Sequence, residues 1–293
     1  MALEQNKYKT KWDLEKYYYK SLDEKKLNED ISKIMPYVKI FAKKYKNKIK
    51  KFSAKDFLKF FEDEEKISKH IHKIGLYFNY LSALDTQNQE VIKKKGEFDF
   101  LMTEVANELL FISQEFKEIG FDKLIKFSKD KLLQNYENYF FQKAISIKYL
   151  LDEKTEYALN LKENSGSDAF ENLYEELTNS FMFKVKVNGK IKEVTDSEVR
   201  MMRTSPNEKT RVEALRSLRE VYNDKKIQIT LGNAYSAIVK DCTSEIKLRK
   251  FKSVMSPRNL SEELSEEVVN MLLSEVEKAY PLYQRYLRIK AKI

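Results

Sequence analysis

Helix-breaking residues are scarce in this chain, and that scarcity constrains its fold more than any other feature. Its 293 residues include only 6 glycines and 4 prolines, too few for the many turns of a β-sandwich or barrel. Apolar side chains recur every three or four residues over long stretches, as on one face of an α-helix. With 42% hydrophobic residues available for a core, we expect a mainly α-helical globular fold.

Three long helices are predicted in the first 120 residues. The apolar spacing runs through residues 27–45, and a capping-box pattern that begins at Ser53 precedes a second run over 57–84. A third run covers 92–116, and Gly120 follows it at a position typical of a helix C-terminus. Further helices are expected up to residue 161.

Two features interrupt the helical pattern in the middle of the chain. The segment NSGSD at 164–168 is the most loop-like, with Ser167 or Asp168 placed to cap the next helix. Residues 181–194 alternate between apolar and polar around Asn188-Gly189, which predicts an antiparallel β-hairpin with a type I′ turn. This hairpin is the one predicted departure from helix.

These breaks divide the chain into two predicted parts. Residues 1–165 form an N-terminal helical subdomain, and 166–293 contain the hairpin and further helices. Within the second part, helices are predicted to begin at the capping box of Thr195, at the N-cap Ser205 and again at Pro281. The last residues are still amphipathic, so we expect the chain to stop in mid-helix.

The net charge of +9 invites a nucleic-acid-binding hypothesis, because clustered Lys and Arg release counterions from phosphates. However, 55 basic residues are interleaved with 46 acidic ones, and the densest basic run, 43–51, lies at a predicted helix end, where the dipole favours cations. A solvated surface of mixed charge is therefore favoured over a nucleic-acid-binding stripe.

A single cysteine, Cys242, excludes an intramolecular disulfide and indicates a reducing compartment, the cytoplasm. The N-terminal residues lack the apolar region of a signal peptide, and no stretch approaches the length of a membrane span. We interpret Cys242 as a small core residue, because it lacks a nearby histidine partner.

Residues suited to catalysis or metal binding are few. The only histidines, His70 and His72, would point about 200° apart on a helix, so they cannot share a metal as the i, i+4 pair of HExxH does. Ile67 and Lys69, three positions before them, exclude the Glu-x-x-His pairs of a di-iron bundle. We expect partly exposed surface histidines, predict no catalytic and no metal-binding residue, and leave substrate-binding residues unassigned.

Several segments, in a fixed order along the chain, carry a family likeness. They are Trp12-Asp13-Leu14 with Tyr17-Tyr18, 80–86, ELLFISQE at 108–115, the turn Asn188-Gly189, 195–211, 233–241, 248–251, 255–260 and Arg285-Tyr286 with 290–292. Together they resemble the oligoendopeptidase F group of the thimet-oligopeptidase superfamily, over nearly the whole chain.

The resemblance implies a nearly all-helical ellipsoid whose two halves enclose a deep channel that admits peptides and excludes folded proteins. In that family zinc is bound by the two histidines of HExxH and a later glutamate, and metal-bound water attacks the peptide carbonyl. This sequence contains no HExxH. Zinc is therefore expected in the complete enzyme, with none bound by this chain and no catalytic residue carried over.

Three polar residues lie in family-like segments near the expected join to the missing half. They are Asp241, Arg249 and Arg258. Helix capping or surface ion pairing accounts for them more readily than substrate contact.

Three functions compete. The first is the N-terminal channel-wall portion of a zinc metalloendopeptidase that hydrolyses oligopeptides, inactive without a C-terminal catalytic domain; a fragment or truncated gene product would explain the mid-helix stop. The alternative is a stand-alone helical interaction module, and the third is a nucleic-acid binder. The first predicts an unusually apolar surface toward the missing half, with neither nucleic acid nor membrane as a partner.

Overall fold

The computed structural model describes residues 13–187 and 189–292, and within them nearly all regular structure is helical. The α-helices, α1 to α14 in chain order, are Leu14–Tyr17, Lys25–Tyr45, Ala54–Leu84, Gln89–Glu108, Leu110–Ile119, Phe121–Ser128, Glu137–Ser146, Glu153–Glu163, Ser167–Asn179, Asp196–Met202, Glu208–Tyr222, Lys225–Leu248, Ser256–Ser261 and Glu266–Lys290. Short 3₁₀ helices cover Ile49–Lys51, Lys131–Tyr136 and Ile147–Tyr149. The prediction of a mainly α-helical fold is confirmed.

The first two predicted helices are confirmed as α2 and α3. The capping box of α3 is present: the Ser53 hydroxyl accepts from the Asp56 amide, and the Asp56 carboxylate accepts from the Ser53 amide at 2.9 Å. The third predicted helix is wrong in one respect, because non-helical backbone at Leu109 (φ −96°, ψ 1°) divides it into α4 and α5. This break lets Val105 and Phe111 pack into different cores.

Other predicted helix starts are displaced by a few residues. Helix α9 begins at Ser167 itself, so neither Ser167 nor Asp168 caps it; the Ser167 hydroxyl instead donates to Glu163 at 2.6 Å. Helix α11 begins after Asn207, whose side chain accepts from the Thr210 amide, and not after Ser205.

The prediction that Pro281 begins a new helix is also wrong, because α14 continues through it. Proline removes one amide donor from the helix interior and leaves the carbonyl of Glu277 without its usual partner. Both residues are exposed. Water can therefore reach that carbonyl, which reduces the cost of the missing hydrogen bond.

The predicted β-hairpin is confirmed. Its strands, β1 (Phe183–Val187) and β2 (Lys190–Val194), pair antiparallel, with Phe183 opposite Val194 and Val187 opposite Lys190. Gly189 has a positive φ of 80°, as the turn requires. Asn188, on which the type I′ prediction also rests, lies outside the described residues.

Three clusters of buried apolar side chains form the core. The first is rich in phenylalanine and joins the C-terminal end of α2 and the start of α3 to α5, α6 and α7; the second joins α2 and α3 to α4. The third packs one face of the hairpin, including Phe183 and Val185, against α10 and α11. Most of the aromatic residues in α3, α5 and α7 are therefore core residues, as their spacing predicts.

Candidate functional site

The two histidines lie on α3 in different surroundings. His70 is partly buried, with Nε2 2.8 Å from the Asp30 carbonyl oxygen and its ring edge-on to Tyr37. His72 is exposed. Among residues 13–187 and 189–292, no group of three or more His, Cys, Asp or Glu side chains could hold a metal ion.

The prediction that Cys242 is a core residue is wrong, because its side chain is exposed. Helix α12, which carries Cys242, has Ala234 as its one buried residue among those the structure describes. Asp241 is exposed on the same helix. Arg258 pairs with Glu262 at 2.6 Å, and both side chains are largely exposed, which agrees with the expected surface ion pair.

Arg249, at the C-terminal end of α12, forms a bidentate ion pair with Glu156 of α8. Arg249 Nη1 donates to Glu156 Oε1 at 2.6 Å, and Nη2 donates to Oε2 at 2.9 Å. The side chains are 18% and 6% exposed, so this is a largely buried pair, not the predicted surface pair. Arg249 Nε also donates to Glu245 at 2.7 Å. Planar, two-point geometry of this kind fixes orientation as well as distance.

The backbone around this ion pair completes its hydrogen bonding. The Leu151 amide donates to Glu156 Oε1 at 2.9 Å, and Arg249 Nη1 donates to the Tyr149 carbonyl at 3.3 Å. Two residues beyond Arg249, the Phe251 ring stacks on Tyr149 with centroids 4.0 Å apart. An ion pair, hydrogen bonds and an aromatic contact therefore hold the segment 249–251 against 149–156.

The electrostatics of Glu156 follow from these partners. Burial alone would raise its pKa, but the hydrogen bonds from Arg249 and from the Leu151 amide outweigh burial and hold the pKa below its ordinary value. Glu156 is therefore ionised at neutral pH. The pair has the character of a structural joint between sequence-distant parts of the chain.

Two cavities of about 310 and 250 Å³ lie beside α7, and Arg249, Tyr149 and Phe251 line the smaller one. Both are lined by Lys143 and Ser146 of α7 and by Leu260 of α13. Burial lowers the pKa of Lys143, while the negative charge of Glu64 opposes that change. Lys143 forms no ion pair with any described residue. Its ammonium group lies over the Tyr139 ring, 5.6 Å from the centroid.

A separate groove of about 680 Å³ lies between α4 on one side and α8 and α9 on the other, and its lining is mainly polar. Asn160 donates to Asn107 at 2.9 Å, and Asn164 donates to Thr103 at 2.6 Å. Lys95 pairs with Asp99 at 2.7 Å within α4. The two hydrogen bonds of Asn160 and Asn164 join α8 to α4, so these amide side chains have a structural role.

Helix α14 presents an apolar face to solvent. It is amphipathic, yet none of its described residues is buried. Met271, Leu272 and Tyr283 are between 61% and 64% exposed, and Val276 and Tyr280 lie on the same stripe at helical spacing. A contiguous patch of this kind is uncharacteristic of a solvent-facing surface. Within the described part of the chain, no helix combines the length and apolar content needed to cross a bilayer.

Sequence reasoning missed Glu156 and Lys143. Glu156 lies in the first turn of α8, where an acidic residue is ordinary, and no local pattern indicates a partner 93 positions away. Lys143 is one of many lysines, and its surroundings include Leu260 of α13, which lines the same two cavities. No motif could have distinguished either residue, although Arg249 was recognised as a polar residue of interest.

Comparison with known proteins agrees with this architecture. The chain is 24% identical over 255 residues to oligopeptidase PepF of Bacillus subtilis, a match that covers 85% of this chain and 37% of that protein. The crystal structure of oligoendopeptidase-F from Enterococcus faecium superimposes with a TM-score of 0.75 at 20% identity, covering 92% of this chain and 53% of that one. No family model matches the chain.

These similarities confirm the predicted resemblance: the chain is oligoendopeptidase F-like in sequence and fold. The chain spans about half, or less, of the length of the relatives it matches.

Proposed function

We propose that this oligoendopeptidase F-like chain is the N-terminal, channel-wall portion of a cytoplasmic zinc metalloendopeptidase that hydrolyses oligopeptides. Its partner is the catalytic portion of such an enzyme, which supplies HExxH and the zinc ion. Neither nucleic acid nor a membrane is a partner in this proposal. Residues 1–165 act as a helical subdomain, and 166–293 carry the hairpin and the helices that lead toward the catalytic portion.

The exposed apolar face of α14 is the observation that carries this proposal. Its stripe through Leu272, Val276 and Tyr283 is exposed, and no described residue of α14 is buried. A partner that covered the stripe would stabilise the complex, because removing apolar area from water contributes about 25 cal/mol per Å². The relatives extend well beyond the matched length, so they contain additional polypeptide that could cover such a face. We assign the catalytic portion as its occupant.

The role of this chain in hydrolysis is confinement and orientation of the substrate. Bound zinc would polarise the peptide carbonyl and activate water, and the described residues of this chain include no group of three or more His, Cys, Asp or Glu side chains that could hold it. A wall that excludes bulk water and folded proteins makes the reaction selective for short, extended peptides.

The test is association between this chain and the unmatched C-terminal portion of the Bacillus subtilis PepF protein, measured by analytical ultracentrifugation. Leu272→Glu places a charge in the apolar stripe, and Ser274→Glu adds the same charge about 200° around the helix. We expect Leu272→Glu to weaken association at least about tenfold and Ser274→Glu to leave it unchanged. Equal effects of the two variants, or no association by the unmodified chain, would contradict the proposal.

The exposed apolar face of α14 also fits the alternative function, a stand-alone helical interaction module. It predicts that the chain binds a partner without contributing to peptide hydrolysis. Complementation of peptide hydrolysis by the catalytic portion therefore distinguishes the two functions.

A further inference from the structure

The two cavities around Lys143 combine one unpaired cation with an apolar compartment. In the smaller cavity, of about 250 Å³, Phe116, Ile147, Leu150 and Phe251 join Leu260 in the lining. The larger, of about 310 Å³, is lined instead by polar groups that include Tyr139, Gln142 and Ser261. Because Lys143, Ser146 and Leu260 line both cavities, a ligand that carries a charged group and an apolar group on the same carbon atom could place one in each.

The charges near Lys143 leave its ammonium group available. Glu64 on α3 opposes the effect of burial on the pKa of Lys143 but lies beyond ion-pair distance. Glu263, which lines the larger cavity, accepts from the Asn138 amide at 2.7 Å. Arg249, which lines the smaller one, is bound by Glu156 and Glu245. Lys143 is thus the cation that remains for a ligand.

A partly buried ammonium group without an ion pair is costly, and such groups are often found at functional sites. A ligand carboxylate would offset the cost by a charge-assisted hydrogen bond. We propose that the Lys143 cavities bind a carboxylate that carries an apolar substituent, the chemistry of the C-terminal residue of a peptide that ends in an apolar side chain. The identification with a peptide rests on the proposed function; the preference for an apolar carboxylate does not.

Three small probes test separately whether the proposed site recognises the carboxylate and the apolar side chain. N-acetyl-leucine has the carboxylate and the apolar side chain, N-acetyl-leucinamide lacks the charge, and N-acetylglycine lacks the side chain. Titrations of the full 293-residue chain at constant ionic strength, followed by saturation-transfer NMR, would give the dissociation constants. We expect N-acetyl-leucine to bind at least about tenfold more tightly than either analogue, as one charge-assisted hydrogen bond or one buried side chain allows.

Variants locate the binding. Lys143→Met retains the volume of the side chain without its charge, and Lys143→Arg retains the charge. Lys148→Met is the matched control, because Lys148 is exposed and also lies over an aromatic ring, 4.6 Å from the Tyr149 centroid, without lining either cavity. Lys143→Met should lose the preference for N-acetyl-leucine over its amide, whereas Lys143→Arg and Lys148→Met should keep it.

Equal binding of acid and amide by the unmodified chain would overturn this proposal, as would equal losses in Lys143→Met and Lys148→Met. The probe comparison in the unmodified chain does not depend on whether any variant folds. Because these are binding measurements, a failure of peptide hydrolysis would refute the proposed function and leave the carboxylate site standing.

Discussion

Arg249 and Glu156, 93 positions apart in sequence, form a two-point ion pair in which both carboxylate oxygens accept from the guanidinium group. The pair joins the C-terminal end of α12 to the first turn of α8, and the stacked rings of Phe251 and Tyr149 add a second contact between the two regions. It positions the segment that leads into α13 and α14, and therefore the apolar face on which the proposed function depends.

Removal of Arg249 should destabilise the chain strongly. Arg249→Ala leaves the Glu156 carboxylate buried without its cation, which we expect to cost about 3 kcal/mol. Urea unfolding followed by circular dichroism measures the change. Arg258→Ala is the control, since its partner Glu262 is exposed, and it should change stability by less than about 0.5 kcal/mol. Similar losses in both variants would show that the burial of the Arg249–Glu156 pair has no energetic effect.

Asp63 should make stability depend on pH in the acid range. It accepts from Lys44 at 2.6 Å and from the Tyr45 hydroxyl at 2.7 Å, and the hydrogen bond from Lys44 is the main cause that holds its pKa well below the ordinary value. Because the pKa is lower in the folded state, the stabilisation is fully present above the unfolded-state pKa and is lost as pH falls toward the folded one.

The matched variant for this effect is Asp63→Asn. At pH 7 it should be less stable than the unmodified chain by on the order of 1–2 kcal/mol. That difference should shrink steadily below about pH 4, where the unfolded carboxyl takes up a proton. Urea unfolding at several pH values measures it, and a difference that is constant from pH 7 to pH 2.5 would contradict the assignment.

The stability of the chain should depend on one face of the hairpin and not on the other. Val185 is fully buried against α10 and α11, while Ile191 on the neighbouring strand is 71% exposed. Val185→Ala should therefore cost about 2 kcal/mol, and Ile191→Ala should change stability by less than about 0.5 kcal/mol. Thermal unfolding measures both, and the reverse order would place the wrong face of the hairpin in the core.

The chain's local signals predicted much of its fold because they act over a few residues. The Ser53 and Thr195 capping boxes were both found as expected, and the residue alternation around Gly189 predicted the hairpin. A helix start that depends on which of two nearby polar residues provides the cap was misplaced, since Asn207 and not Ser205 caps α11. Periodicity alone could not detect the break at Leu109, because both flanking segments have buried residues.

The candidate site was harder to predict, since its features arise from packing between distant segments. Cys242 was assigned to the core from residue type, but the exposed position of α12 overrides that preference. The lowered pKa of Lys143 arises from its partial burial in the folded chain, and the ionised state of Glu156 depends on Arg249, a partner 93 positions away. The amphipathic spacing at the end of the chain was the exception: it is visible in the sequence, and it lies within α14, which carries the exposed apolar face.

The most direct test of the proposed function is hydrolysis of a quenched fluorescent oligopeptide in the presence of zinc. Activity would be measured for this chain alone, for the unmatched C-terminal portion of the Bacillus subtilis PepF protein alone, and for the two mixed. We expect the chain alone to be inactive and the mixture to exceed the sum of its parts, with the gain lost in Leu272→Glu and kept in Ser274→Glu. Hydrolysis by the chain alone, or a mixture no more active than its parts, would contradict the account.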